Sequence, residues 1–537
     1  MRSKRYHFNG GDDDANNATV KLASILFDQY SLHGTRDDLS ANDIMTIIAA
    51  CLRHSAAELT ASRRTFNDPL LAEAIRVLVP VIHDSPSRPL IDFLTLLSQK
   101  KEALPNTSQL NIYSPLSQLS SSILSTLSTT ITPTSNNNHM KDITLALKAM
   151  ARLDWYSTRC ITSMVDALMT TRLTSSSMEY VGDLMQSLRV LRVHDTPLLQ
   201  RVVTWYKWML RQSYGDTTTT TTNSSSSSRA RPYPPEIRAH LAAFALPIAE
   251  LGYTSSSLID IVEGALLLQE EGNSHPSDPK LLISFLYILS RQGQEAFTRA
   301  SFIQGVKRLA STPEEALQSL SAADWIKAFQ VHLAPAIEGP PHIKRELVHD
   351  ADIKKFIEDN ASFSWYSAQE KSRTQFLHSD TYHALRHTIE DDLGWPLYTA
   401  NQSGEVYHTE FISDNTTSSP SIGSSVPSSD RRTAIVCIKP SDELRYYRAS
   451  IGGSVVSDSG GPGGEMGEYK STRVMIGSSL VKVRHLISLG WKVVPVWLSE
   501  WSDMKSDKDR AEYLIQQSTR GYALGPTPDD DGAHDEY

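Results

Sequence analysis

Basic residues near the C-terminal end of the sequence have the spacing needed to contact phosphate groups. Lys482 and His485 stand three residues apart and share one face of a predicted helix. Lysine and arginine bind phosphate oxygens through charge-assisted hydrogen bonds. The predicted RNA-binding patch has six members, Lys470, Arg473, Lys482, Arg484, His485 and Lys492. The alternative is an ordinary solvated helix face.

Other chemical patterns in the chain are incomplete. The histidines of HALRH (383–387) are four residues apart but lack the glutamate of HExxH. The glycines of 452–467 are not followed by the Gly-Lys-Ser/Thr of a phosphate loop, and no GxSxG occurs. Trp491, Trp497 and Trp501 could stack on bases. Their spacing around a predicted strand favours packing for at least two of them.

The charge balance confines any nucleic-acid surface to local zones. The net charge is −9, which argues against a chain that coats nucleic acid along its whole length. Two zones are basic: Lys141–Arg211 has ten Lys/Arg against six Asp/Glu, and Lys470–Arg520 has nine against five. Acidic residues gather elsewhere, including the predicted tail 521–537.

Cysteine spacing and hydropathy exclude several classes of protein. Cys51, Cys160 and Cys437 lie far apart, which fits a reducing compartment and argues against a cysteine-based zinc site. No apolar run approaches the ~18 residues of a membrane span. No metal or other cofactor is predicted. Basic residues at 2–5 are followed at once by three aspartates, unlike an acid-poor transit peptide, so either there is no presequence or the sequence lacks it.

Several segments are too polar to bury a core. Residues 114–138 are rich in Ser, Thr and Asn; 215–229 combine a Thr run and a Ser run; 414–430 are Ser-rich; and 452–467 are Gly-rich. Because such segments bury little apolar surface, we predict loops or disorder for all four. Residues 1–18 are predicted to be a disordered tail.

The regions between these segments show helical periodicity that recurs. Apolar residues return every three or four positions on both sides of a short polar break, which predicts helix pairs. The last apolar residues before the breaks are Leu153, Leu191, Leu251 and Leu289. Their separations are 38, 60 and 38, and the middle interval holds a polar tract of about 22 residues. Leu52 and Leu97 mark two further, degenerate units. The pattern predicts an α-solenoid; the alternative is an irregular helical bundle.

From about residue 376 the pattern changes to a small α/β module. The predicted order is helix, three strands, helix, strand, helix. PLYTA and EVYHTEF are predicted to pair around residues 402–404, and TAIVCI (433–438) is a β-prone third strand. SSLVKVRHLISLG is a helix closed by Gly490, and Ser506 is predicted to cap the last helix.

These motifs resemble two families that occur together. The run LVKVRHLISLGWKVVPVWLSEWSDMKSDKDRAEYLIQQ resembles the RAP domain consensus, and the period with its L-x-W/Y-S/T wording resembles octotricopeptide and FAST-kinase-like repeats. The resemblance implies an N-terminal α-solenoid of helix pairs and a small C-terminal α/β domain with a restriction-endonuclease-like fold. The predicted parts are 19–335 (repeats), 336–375 (connecting helices) and 376–520 (RAP domain, best match 480–514).

A restriction-endonuclease-like fold raises the question of cleavage. Metal-dependent cleavage of that type needs a carboxylate on one strand and an acid-x-Lys group on the next, so that the acids hold Mg²⁺. Glu410 suits the first position and Lys439 the last, but Cys437 stands where an acid is needed. A thiol does not replace a hard oxygen ligand. The nearby acids Asp442 and Glu443 become candidate ligands if the register is shifted. We therefore predict that the domain binds without cleaving.

The resemblance implies an organellar RNA-binding protein that acts after transcription. It implies a mitochondrial or plastid location and ribosomal or messenger RNA as the partner. Two alternatives stay open at this point. One is a structural component or assembly factor of a mitochondrial ribosome, and the other is a Mg²⁺-dependent RNA endonuclease.

Overall fold

The computed structural model describes part of the chain. The described residues are 41, 44–45, 78–80, 82–99, 115–131, 139–214, 233–267, 278–395, 397–398, 407, 409–413, 433–448 and 474–520. The predictions for 1–18, 215–229, 414–430, 452–467, 521–537, Leu52 and the turn at 402–404 lie outside them. Within the described ranges, every helix is too short or too polar to cross a bilayer. Contacts divide the chain into two compact units, Met1–Leu191 and Arg192–Tyr537.

The first unit consists of stacked helix pairs. Its helices are α1 (Ser87–Gln99), α2 (Pro115–Thr130), α3 (His139–Leu153), α4 (Thr158–Thr170) and α5 (Met178–Leu191). Helices α1, α3 and α5 pack side by side in one row, and α2 packs beside α4 in a second row. Each helix thereby covers the apolar face of its neighbour, as the solenoid prediction requires.

Helix α2 corrects the prediction of a loop over 114–138. Leu119, Ile123 and Leu127 recur every four residues and are fully buried, so the segment is an amphipathic helix. The hydroxyl of Thr126 donates to the carbonyl oxygen of Ser122 at 2.8 Å, one turn earlier. The high Ser and Thr content hid an apolar period that is long enough to bury one face.

The second unit begins with the same arrangement. Its helices before the sheet are α6 (Thr196–Tyr214), α7 (Pro235–Glu250), α8 (Ser256–Leu267), α9 (Pro279–Arg291), α10 (Gln294–Phe297), α11 (Ala300–Ala310), α12 (Glu314–Leu317), α13 (Ala322–Glu338), α14 (Pro341–Ile343), α15 (Ala351–Asn360), α16 (Ser362–Leu377) and α17 (Asp380–His387). Helices α7, α9 and α13 form one row, and α6, α8, α11 and α15 form the other. The predicted end of the repeat region at residue 335 falls inside α13. The packing of helices in two rows continues beyond it to α15.

The turns that follow four of the helices share a backbone feature. Asp154, Arg192, Gly252 and Gly293 have φ values of 55°, 60°, 80° and 89°. Each follows the end of α3, α5, α7 or α9 by one or two residues. Gly293, with ψ of −159°, is also the N-cap residue of α10. The predicted breaks are thus confirmed, and two of them place a non-glycine residue in a conformation that costs roughly 1–2 kcal/mol.

The C-terminal module is built on a four-stranded sheet. Its elements are β2 (Leu397–Tyr398), β3 (Phe411–Ser413), β4 (Thr433–Ile438), β5 (Tyr446–Arg448), α18 (Gly477–Ser488), β6 (Lys492–Trp497), α19 (Leu498–Asp503) and α20 (Asp507–Arg520). The sheet order is β2-β3-β4-β6, with β4 and β6 parallel and the other pairs antiparallel. The elements occur in the predicted order with three differences: β3 shares only Phe411 with the predicted strand EVYHTEF, β5 was not predicted, and the predicted last helix is divided into α19 and α20. Ser506 accepts a hydrogen bond from the Asp509 amide at 3.1 Å, as predicted.

Strand β5 joins the module to the helical pairs of the same unit. It pairs in parallel with a three-residue strand, β1 (Val193–Asp195), that leads into α6. Asp195 is fully buried. One of its carboxylate oxygens accepts from the Leu198 amide at 2.9 Å, which caps α6, and the other lies 2.6 Å from Nε of Arg448. The module is therefore part of the packed body of the second unit.

Candidate functional site

The sheet brings the predicted cleavage positions together. Glu410 precedes β3, Cys437 lies on β4, and Lys439 follows β4 with an exposed side chain. Lys482 of α18 reaches the same place, and its Nζ lies 3.0 Å from both carboxylate oxygens of Glu410. Burial raises the pKa of the Cys437 thiol well above its usual range, and the charge of Glu410 raises it further. The thiol is therefore protonated at neutral pH.

These residues do not fit a Mg²⁺ site. Magnesium takes oxygen ligands in octahedral geometry, whereas Cys437 offers a protonated sulfur and Glu410 is already neutralised by the ammonium group of Lys482. The alternative acids are engaged elsewhere: Asp442 accepts from the hydroxyl of Ser479 and Glu443 from that of Ser499, both at 2.6 Å. Across the described ranges, no group of three potential ligands is suitably placed for a metal ion.

Arg484 does not lie on the predicted surface patch. Its Nε lies 2.6 Å from a carboxylate oxygen of Glu338 at the end of α13. Its Nη atoms donate to the carbonyl oxygens of Arg291 at 3.1 Å and of Ser290 at 3.4 Å. These carbonyls belong to the last turn of α9, where a positive charge is favoured. The guanidinium group therefore connects the C-terminal module to the helical pairs through an ion pair and two hydrogen bonds.

Arg291 makes the reciprocal contact. It is the last residue of α9, and its Nη2 donates to the carbonyl oxygen of Gly477, the first residue of α18, at 2.6 Å. Its Nε donates to the carbonyl oxygen of Ala249 at 3.1 Å. Two arginines from two helices thus each satisfy backbone carbonyls of the other helix, which leaves both charges paired or hydrogen-bonded in a buried setting.

His485 lies at the centre of the same contact. It is fully buried, with Nδ1 2.6 Å from the hydroxyl of Tyr407 and Nε2 3.2 Å from Glu338. Burial lowers the pKa of His485, so the ring is neutral at pH 7. Hydrogen bonds from His485 and the charge of Arg484 outweigh burial and lower the pKa of Glu338. We call Arg291, Glu338, Tyr407, Arg484 and His485 the buried clamp.

The other members of the predicted patch lie elsewhere. Lys492 pairs with Thr433 at the start of β4, whereas Lys439 follows the end of that strand. Six strand residues at about 3.3 Å each separate the two positions by about 20 Å. Lys470 and Arg473 lie outside the described residues. Lys482 thus lies beside the cleavage positions, where it pairs with Glu410, whereas Arg484 and His485 face Glu338 and Lys492 lies near the opposite end of β4. These four side chains do not form one exposed patch, and RNA binding by them stays a prediction.

Sequence reasoning missed the acidic and aromatic partners in the clamp. Glu338 and Tyr407 lie far from α18 in sequence, and neither belongs to a motif. The tryptophan interpretation is confirmed, since Trp497 and Trp501 are buried in the core of the module.

The fold and the site define a class of protein in which stacked helix pairs carry a small α/β module at their end. The RAP domain profile matches residues 468–517. The chain therefore contains a RAP domain, and the match covers α18, β6, α19 and most of α20. RAP domains are associated with RNA binding. A search among curated proteins found no match.

Proposed function

We propose that this protein binds RNA in an organelle and acts on that RNA after transcription, with a RAP domain that holds RNA without cleaving it. The observation that carries this proposal is the RAP match over α18 to α20, in a module packed against helix pairs. Stacked helix pairs present an extended surface of the kind that binds single-stranded RNA. We also propose that the RAP domain has a restriction-endonuclease-like fold.

The non-catalytic role is supported by the contact between Lys482 and Glu410. In a cleaving site, the carboxylate would have to bind a divalent cation. Here the ammonium group takes both oxygens of that carboxylate at 3.0 Å, and both side chains are largely shielded from solvent. A protonated, buried thiol stands at the second ligand position. An internal ion pair therefore occupies the place where a cleaving site would hold a metal ion.

The organellar setting, in a mitochondrion or a plastid, rests on the family resemblance. We propose ribosomal or messenger RNA as the partner. Imaging of a C-terminally tagged full-length protein with mitochondrial and plastid markers tests the location. A cytosolic or nuclear distribution would contradict it.

The test of RNA binding is an affinity measurement across a range of salt concentrations. Phosphate contacts release counterions, so the affinity for single-stranded RNA is expected to fall linearly on a log–log plot against salt. Crosslinking in cells followed by sequencing then identifies the bound RNA. Messenger RNA sites support a regulator, whereas ribosomal RNA together with co-sedimentation in high salt supports a ribosome component. Absence of salt-sensitive affinity for any RNA would overturn the proposal.

A further inference from the structure

We infer that the outward face of helix α6 (Thr196–Tyr214) contacts single-stranded RNA, with Trp208 as the residue on which a base stacks. This inference rests on the proposed function, and it places one contact surface on the helical pairs and outside the RAP domain. Trp208 is 53% exposed. Among the described residues, it is the most exposed tryptophan.

The sequence of α6 places two arginines on this face. The helix contains no aspartate or glutamate, and of its three basic residues Arg201 and Arg211 lie on this face, whereas Lys207 pairs with Asp260 of α8. Arg201, Trp205, Trp208 and Arg211 follow one another at spacings of four, three and three residues. At these spacings the four side chains lie along one face. Two tryptophans thus lie between two arginines along a strip about three turns long, a pattern that suits a phosphate backbone with bases beside it.

The opposite face of α6 is fixed by packing. Tyr206 is fully buried and stacks on Phe244 of α7, with ring centroids 4.2 Å apart and planes 10° apart. Its hydroxyl lies 3.0 Å from Nδ1 of His240. Lys207 pairs with Asp260 of α8 at 2.7 Å. Because these contacts set the rotation of the helix, Trp208 is held outward before any ligand binds, which reduces the entropy cost of binding.

The surroundings of Trp208 favour RNA over a protein partner. The neighbouring positions on the face, Thr204 and Gln212, are exposed and polar. A protein-docking surface is expected to present a contiguous apolar patch, whereas Trp208 is the only exposed apolar side chain of α6, with the half-buried Trp205 beside it. Single-stranded RNA supplies both a base for the ring and phosphates for the arginines. The charge of the helix therefore complements RNA.

The experiment measures the affinity of the full-length protein for fluorescein-labelled oligouridine and oligoadenosine of about 20 nucleotides. Four variants are compared with the parent: Trp208→Ala, Trp208→Phe, Arg211→Gln and Phe363→Ala. Phe363 on α16 is 81% exposed and serves as the matched control for loss of an exposed aromatic ring. Thermal melts verify that each variant is folded.

The inference predicts that Trp208→Ala weakens binding about tenfold, within the range measured for one stacked base. Trp208→Phe should keep most of the affinity, Arg211→Gln should reduce the salt dependence by about one phosphate contact, and Phe363→Ala should bind like the parent. If the parent binds RNA and Trp208→Ala binds equally well, the inference is overturned while the proposed function stands. If the parent binds no RNA, the proposed function fails, and the inference fails with it.

Discussion

Nε of Arg484 in the RAP helix α18 lies 2.6 Å from the carboxylate of Glu338 at the end of α13. The two residues are 146 positions apart in sequence, and both side chains are largely shielded from solvent. A residue whose type and position suggested a phosphate contact is instead half of an internal ion pair. The basic side chain of Arg484 on α18 therefore stabilises the packing of the C-terminal module against the helices of the second unit.

Replacement of Arg484 by Met should destabilise the second unit strongly. Removal of Arg484 leaves the Glu338 carboxylate buried with only the neutral ring of His485 as a partner, which costs up to about 3–5 kcal/mol. Chemical denaturation followed by circular dichroism measures the loss. Arg386→Met is the matched control, since Arg386 pairs with Glu390 on the surface, where an ion pair contributes little to stability. The double variant Arg484→Met, Glu338→Leu should recover part of the loss; no recovery would show that the pair is not the cause.

Asp195 allows two roles to be separated. Asp195→Asn should keep the cap of α6 but lose the ion pair with Arg448, because an amide oxygen still accepts from the Leu198 amide. Asp195→Ala loses both and should be less stable than Asp195→Asn by about 1 kcal/mol. Denaturation midpoints of the two variants test this difference. Equal midpoints would mean that the cap contributes nothing measurable.

The pair of Lys482 and Glu410 predicts the response to magnesium. The parent protein should show neither Mg²⁺-dependent RNA cleavage nor a rise in melting temperature with Mg²⁺, because the carboxylate already has a cation. Lys482→Met should melt at a lower temperature than the parent, since Glu410 is then left without its partner. Cleavage by the parent that requires Mg²⁺ and disappears in Glu410→Ala would contradict the non-catalytic assignment.

The buried histidines predict a loss of stability in mild acid. Burial lowers the pKa of His485 and of His194 below the ordinary value of 6.5. As the pH falls, these histidines therefore take up protons in the unfolded chain before they do so in the folded chain. Their effect on the free energy of unfolding is absent above about pH 6.5, and the protein loses stability as the pH falls below that value. The pKa of Glu338 is also lowered, from its ordinary value of 4.5. Its carboxylate therefore stabilises the folded protein above about pH 4.5, and this stabilisation is lost as the pH falls further and the folded carboxylate becomes protonated.

Thermal melts at several pH values between 7.5 and 5.5 measure this effect. His485→Gln should melt with a weaker dependence on pH than the parent, whatever its stability at neutral pH. His378→Gln removes an exposed histidine and should leave the dependence unchanged. An unchanged slope in His485→Gln would rule out that histidine as a source of the effect.

The fold was predictable wherever the determining pattern is local. The breaks at Leu153, Leu191 and Leu251 appear in sequence because each helix end carries its own apolar and cap residues. Helix α2 was missed because its composition is that of a linker, although three buried residues at a spacing of four define its face. Strand β5 has three residues and forms only against β1, so nothing in its own sequence distinguishes it from a turn.

The cleavage positions were predictable, whereas the role of the basic residues and the acidic and aromatic partners in the buried clamp were not. The positions of Glu410, Cys437 and Lys439 follow from strand patterns, and the structure brings them together. The same basic side chain can bind a phosphate or an internal carboxylate, and the choice depends on what packs opposite. For Lys482 and Arg484 that partner is Glu410 or Glu338, 72 and 146 residues away, a separation that periodicity does not reveal.

The pairing of β1 with β5 also bears on the order in which the protein acquires its structure during synthesis. Asp195 is separated by 251 residues from Tyr446, with which it shares a hydrogen bond. At about 5–20 residues per second, a ribosome needs roughly 12–50 s to cover that distance. During this interval the Asp195 carboxylate lacks its arginine and the edge of β1 lacks its partner strand. The start of α6 is therefore the point at which a chaperone, or premature pairing with another strand, would compete with native folding.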